Sequence, residues 1–138
     1  MRLYVAIMLG ILTVTGSGCT STHNSYQGYF LHSEAKINAV TYDCAEFLAW
    51  RFPPATTQVN FPAGSNDAFS DNLKNSMRKL GFKIAEGKSS SGLDLSYVVD
   101  NLDMTSVLVN LSLSGKTYTR LYNLEGVPVS KWSVKEQL

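Results

Sequence analysis

Cysteine and histidine are almost missing from this chain of 138 residues: Cys19, Cys44, His23 and His32 are all it has. Two isolated histidines without a Cys-x-x-Cys pair cannot assemble the four-ligand site that structural zinc takes, so no metal and no cofactor is expected. An excess of one charge is missing too, with 12 Lys+Arg against 11 Asp+Glu. A nucleic-acid binder carries a basic stripe. Here Lys74, Arg78, Lys79, Lys83 and Lys88 are interspersed with Asp67, Asp71 and Glu86, which reads as the solvated face of a helix and its exit. No direct contact with nucleic acid is expected. There is no Gly-x-Ser-x-Gly elbow for a serine hydrolase. The loop Gly87 to Gly92 opens onto a strand, without the helix that a phosphate-binding loop requires. Asp43 with Glu46 lies on the polar side of a helix, and Asp100 with Asp103 flanks a turn. Each pair reads as solvation rather than as the acid and base of a glycosidase. The expectation is no enzyme, no catalytic residues and no small-molecule substrate.

A long hydrophobic run is also missing. Spanning a bilayer core about 30 Å thick takes roughly 20 apolar residues. The uncharged stretch Leu3 to Val14 is shorter and ends in Gly and Ser. What it does resemble is the middle of a secretory signal peptide. Arg2 and the terminal amine precede it, and the small residues Thr15-Gly16-Ser17-Gly18 follow. Residues 1–18 are therefore assigned as a signal peptide. Gly16, Ser17, Gly18 and Cys19 resemble the lipobox of bacterial lipoproteins, where diacylglycerol is attached to the cysteine and the chain is cut just before it. That resemblance implies lipid on Cys19 and attachment to a membrane. Thr20 in place of Asp after the cysteine implies the outer membrane of a Gram-negative cell, with the protein facing the periplasm. Gly16 and Gly18 also satisfy the small-x-small rule of ordinary cleavage. In that case Cys19 and Cys44 would both be thiols in an oxidising compartment, free to pair. With lipid on Cys19, Cys44 is a lone thiol inside an apolar helical pattern, a small buried hydrophobe.

Residues 19–32 are polar and read as a lipid-anchored flexible tether, leaving 33–138 as the domain. Ser33 or Glu34 starts a helix that runs to about Trp50, with Ile37, Val40, Cys44, Phe47 and Leu48 on one stripe. Pro53-Pro54 ends it. A short strand over Thr56 to Phe61 follows. Ser65, Asn66 or Asp67 then caps a second helix to Leu80, whose stripe is Phe69, Leu73, Met77 and Leu80 and whose remainder is expected to face water. Gly81 fits its C-terminal cap. Beyond it come strands: Phe82 with Ile84, the alternating Leu93 to Val99, Val107 to Leu113, Thr117 to Tyr122 after the hairpin signal Ser114-Gly115, and a last piece with Trp132 and Val134. The fold class predicted is α+β, a two-layer sandwich of two helices on an antiparallel sheet, in the order helix, strand, helix, strands.

Surface remains as the place for function. Trp50, Arg51 and Phe52 put two aromatics and an arginine at a helix end, the residue types of interface hot spots; closing the core is the competing role. Tyr118, Arg120 and Tyr122 belong to a strand that could face solvent or form an edge open to a partner strand, though an ordinary polar sheet face explains them equally.

Several segments together resemble the TrbH conjugal transfer lipoproteins: Asp43-Cys44-Ala45-Glu46, Leu48-Ala49, and Phe52-Pro53-Pro54-Ala55-Thr56-Thr57. The likeness continues through Asp67-Ala68-Phe69, Leu80-Gly81-Phe82, Gly92 to Asp100, Gly115 to Arg120, and Trp132. The resemblance implies a part in mating-pair formation, within the type IV secretion machinery that moves a relaxase-bound strand between cells. The implied partners are other conjugation-channel proteins, and the implied task is to anchor or stabilise the outer-membrane part of the channel. The alternatives are an envelope lipoprotein that excludes redundant DNA uptake, or a periplasmic binding module.

Overall fold

The computed structural model describes residues 24–26, 33–87, 89 and 91–137. The signal segment, Gly16, Ser17, Gly18, Cys19, His23, His32 and Lys88 lie outside the described residues. None of the described helices is long and apolar enough to cross a membrane.

A two-residue strand, β1 (Ser25–Tyr26), falls within the segment read as tether. The first helix, α1 (Glu34–Arg51), starts where its cap predicts, with Ser33 Oγ accepting the Lys36 N–H at 3.2 Å. It buries Ile37, Val40, Thr41, Cys44, Ala45 and Leu48. Thr41 fits among them because its hydroxyl donates to the Ile37 carbonyl at 2.9 Å. Phe52, ahead of Pro53, is extended at φ −130° and ψ 126°, and α1 stops there.

The second helix, α2 (Ala68–Lys79), is capped by Asp67, whose Oδ1 accepts the Ser70 N–H at 2.7 Å. Gly81 ends it at φ 101°. Phe69, Leu73 and Met77 are fully buried, as the stripe predicts. The rest of α2 does not all face water, however: Ser70, Lys74 and Ser76 are buried as well. Lys74, only 4% exposed, corrects its reading as a solvated cation. Its Nζ donates to the Ser65 carbonyl at 2.6 Å and to Glu86 at 2.5 Å, over the Phe61 ring. An ammonium can stay buried only when paired in this way.

That pairing sets an acid sensitivity. Lys74 holds the Glu86 carboxyl below its ordinary value of 4.5. A carboxyl depressed by folding adds stability that is present above its unfolded pKa and lost as pH falls through the folded value. Thermal melts should show stability falling as pH drops through and below the ordinary carboxylate range. Glu86→Gln should be less stable than wild type at neutral pH and flatter across that window. Lys74→Met, which removes the buried charge itself, should be tolerated better than Glu86→Gln. The reverse ranking would show that the pair is not what keeps Lys74 inside.

The strands make two sheets. β2 (Gln58–Phe61), β3 (Lys83–Glu86) and β4 (Leu93–Asp94) form one in the order β3-β2-β4, all parallel. β5 (Ser96–Asn101), β6 (Ser106–Leu113), β7 (Lys116–Asn123) and β8 (Ser133–Glu136) run antiparallel, and β1 joins β5 in parallel to give the order β1-β5-β6-β7-β8. The α+β class holds, but the expectation of a single antiparallel sheet does not. The reason lies in the connection: β2 reaches β3 through α2, and a helical crossover returns the chain to the end where it began, so both strands point the same way.

The stretch Leu93 to Val99, expected as one strand, is shared between the two sheets. It breaks at Leu95, whose N–H bonds the Asn60 carbonyl at 2.9 Å. Buried Asn60 holds this junction, donating to the Ser91 carbonyl at 2.9 Å and to Asp94 at 3.1 Å. Gly92 is needed here: at φ 93° a Cβ would come within 2.8 Å of the Gln58 carbonyl oxygen. The β6–β7 hairpin turns as its sequence predicts, with φ 51° at Ser114 and 73° at Gly115. One face of the larger sheet shares a single hydrophobic core with both helices. Its contributors include Tyr97, Val99, Val109, Leu111, Tyr118 and Tyr122.

Candidate interface and the polar cluster behind it

The last turn of α1 brings part of the expected interface together. Trp50 is 77% exposed. The Arg51 guanidinium lies 5.8 Å from its ring centroid and 5.5 Å from that of Tyr118. Phe52 is half-buried. With Ser114, Lys116 and Tyr118 these residues line a recess of about 230 Å³. Among the described residues neither Arg51 nor Lys116 has a carboxylate partner. A wider depression of about 820 Å³ runs from Asn60 and Phe61 past Leu93 and Leu95 to Leu113 and Ser114.

Tyr118, Arg120 and Tyr122 are placed differently from a solvent-facing edge. β7 is paired on both sides, to β6 and β8. Tyr118 is 1% exposed and Tyr122 has no exposed surface. Alternate strand residues share a face, and for these three that face is the one turned to α1. Thr117, Thr119 and Leu121 take the other side.

Arg120 and Tyr122 meet Asp43 instead. Arg120 Nη1 donates to Asp43 Oδ1 at 3.0 Å and Oδ2 at 2.9 Å, and its Nε donates to the Ser130 carbonyl at 2.9 Å. The Tyr122 hydroxyl donates to Asp43 Oδ2 at 2.6 Å and lies 3.6 Å from Cys44 Sγ. Arg120 also sits 5.6 Å from the Trp132 ring, which stacks on Phe47 at 4.3 Å. Asp43 therefore turns to the sheet with its side chain only 26% exposed, correcting its reading as a free solvated acid. A signal for this existed: Asp43 is three residues after Val40 and four before Phe47, on the flank of the buried stripe. Arg120 is in phase with two tyrosines that alternation turns inward.

Chemically the cluster is inert. Burial pushes the Cys44 thiol up to about 12, so no thiolate is available as a nucleophile. Burial, then Cys44 and Asp43, also push the Tyr122 phenol upward, and it stays a protonated donor. Among the described residues no group of three potential ligands could hold a metal ion. What the cluster can do is clamp α1 to β7. Arg120→Ala should cost about 2–3 kcal/mol in urea unfolding, the range for charged hydrogen bonds whose partner is left behind. Arg120→Lys should recover little of it, because it loses the fork to Asp43 and Ser130 and the stacking on Trp132. Tyr122→Phe should cost about 1 kcal/mol. A silent Arg120→Ala would leave α1 held by apolar packing alone.

Residues 20–136 match the family described as conjugal transfer protein TrbH. The chain belongs to the TrbH family. Neither the curated proteins nor the solved structures include a match to it. The TrbH match begins at the residue after Cys19 and ends at the last residue of β8, so it spans every described element. The segments that carry the TrbH likeness in the sequence have structural work assigned to them here. Asp43 and Arg120 form the ion pair, Phe52-Pro53-Pro54 stops α1, and Asp67-Ala68-Phe69 caps α2 and starts its buried stripe. The TrbH description names conjugal transfer and no reaction.

Proposed function

We propose that this TrbH protein is a lipoprotein of the mating-pair-formation apparatus of a conjugative type IV secretion system. It is held at the outer membrane, facing the periplasm, by lipid on Cys19. It anchors or stabilises the outer-membrane part of the channel through contacts with other transfer proteins. The observation that carries this reading is the match to a conjugal transfer family over nearly the whole chain. The order of charge, apolar stretch and small residues ahead of Cys19 supports the anchor. Lipid and protein contacts act as two tethers and raise the effective concentration of the domain at the assembly site. A single acyl chain binds membranes marginally, whereas two or more give durable attachment.

Deleting the gene separately in donor and recipient tests this. A channel component is required in the donor, where its loss should lower transfer, and is dispensable in the recipient. Unimpaired donation with increased redundant uptake into cells already carrying the element would instead assign it to exclusion. No change in either would favour a periplasmic binding module.

A further inference from the structure

The direction of β1 fixes which end of the domain lies near Cys19. β1 runs parallel to β5, with Ser25 opposite Val98, and the Tyr97 N–H donates to Asn24 Oδ1 at 2.9 Å. β1 therefore begins at the end of the sheet where β5 begins. The β6–β7 turn is at that same end, because Ser96 pairs with Ser112. Helix α1 starts at the opposite end, where Lys36 pairs with Glu125 at 3.3 Å, and runs back to place Trp50 and Arg51 beside Ser114 and Lys116. Asn24 is five positions after Cys19, and an extended chain covers at most about 3.6 Å per residue, so lipid on Cys19 keeps the bilayer within about 18 Å of Asn24.

The chemistry of that end suits a lipid surface. An exposed indole beside two cations that have no carboxylate partner among the described residues is the combination found at the membrane–water boundary, where tryptophan lies at headgroup level and Lys or Arg meet phosphate. Glu86 is neutralised by Lys74 within the fold, and Asp67 and Asp94 accept hydrogen bonds from Ser70 and Asn60.

Resting on the reading that Cys19 is lipidated, we infer that the domain sits with this end on the bilayer: Trp50 in the interfacial layer, Arg51 and Lys116 on anionic lipid headgroups. The far end then points into the periplasm, toward partner proteins. The attachment is a composite of the lipid on Cys19 and this patch, which fixes how the domain is turned.

Trp50 supplies the probe, since the chain has only two tryptophans. Trp132→Phe leaves Trp50 alone, keeps the aromatic stack on Phe47, and removes an indole N–H that has no partner inside the fold. The full lipoprotein carrying that change is reconstituted in vesicles of phosphatidylethanolamine and phosphatidylglycerol, with flotation and intact mass recorded in parallel. The expected result is blue-shifted Trp50 emission, quenched by lipids nitroxide-labelled near the headgroup. Arg51→Gln with Lys116→Gln, which removes both cations without setting an acid opposite Glu136, should reduce that quenching several-fold while flotation stays as it was and the thermal melt still shows a folded domain. Protein that floats while Trp50 stays open to aqueous iodide overturns the docking and leaves the anchor standing. Shielding that appears only in native outer membranes with the other transfer proteins gives the patch to a protein partner and overturns the lipid assignment. Shielding that grows with protein concentration in lipid-free solution gives it to a second copy, with the same consequence. Protein that neither floats nor carries diacylglycerol removes the anchor, and this inference with it.

Discussion

Cys19→Ser is expected to release the protein from the membrane fraction and to lower transfer from a donor carrying it as the only copy by about 10²-fold or more. The magnitude follows from losing one of two tethers, since linkage adds factors of about 10²–10⁴ over a single contact. The mass should fall by the diacylglyceryl group. A comparable transfer frequency with soluble Cys19→Ser protein would show that protein contacts suffice. The fold bears on the competing reading, in which Cys19 is unmodified and bonded to Cys44. Cys44 has no exposed surface and is enclosed between α1 and Tyr122. Disulfide geometry requires the two Cα atoms within about 7 Å of each other, so the bond would require α1 to lift from β7. Wild-type protein should accordingly migrate identically with and without reductant, and Cys44→Ala should leave membrane attachment untouched. A disulfide between Cys19 and Cys44 in mature protein would sink the lipoprotein reading.

Phe69→Ala should be the most damaging substitution in the core, at about 3–5 kcal/mol. Against a typical domain stability of roughly 5–15 kcal/mol, that is about a fifth or more of the total. Phe69 has no exposed surface, and its ring lies 6.1 Å from that of Tyr26 and 5.0 Å from that of Tyr97. It therefore joins α2 to β5 and to β1 at once. Removing it should lower the urea midpoint sharply and raise amide exchange at Tyr26 ahead of the rest of the larger sheet. Tyr26→Ala, which cuts only the β1 side, should cost far less. A loss below about 1 kcal/mol for Phe69→Ala would mean that the surrounding side chains collapse into the space.

Both helices were legible in the sequence because their ends are written in single residues. Ser33 and Asp67 cap, Pro53 and Gly81 terminate, and the stripes between them have the right period. The hairpins of β5 to β7 were legible from alternation and from Ser114-Gly115. The parallel sheet was not, because β2 finds β3 and β4 across helices and loops, and no local pattern of a four-residue strand reveals its neighbour. β1 is too short to show alternation at all. Of the candidate interface, Trp50, Arg51 and Phe52 were found by residue type at a helix end, and the structure groups them with Tyr118. The turned faces of Arg120 and Tyr122 follow from parity once β7 is known to be interior, a fact that only the pairing supplies. Lys74 was misread because a lysine on a polar-looking helix carries no mark of the carboxylate that Glu86 brings from another element.

The pairing of β1 with β5 also sets an order of events. Asn24 meets Tyr97 across 73 positions of chain, while β5, β6 and β7 are joined by short turns. Near contacts form before distant ones, because closing a long loop costs more chain entropy. As the polypeptide emerges amino end first, β1 has no partner until everything through Asn101 has been delivered. The first strand in the sequence is thus among the last to be added to the larger sheet.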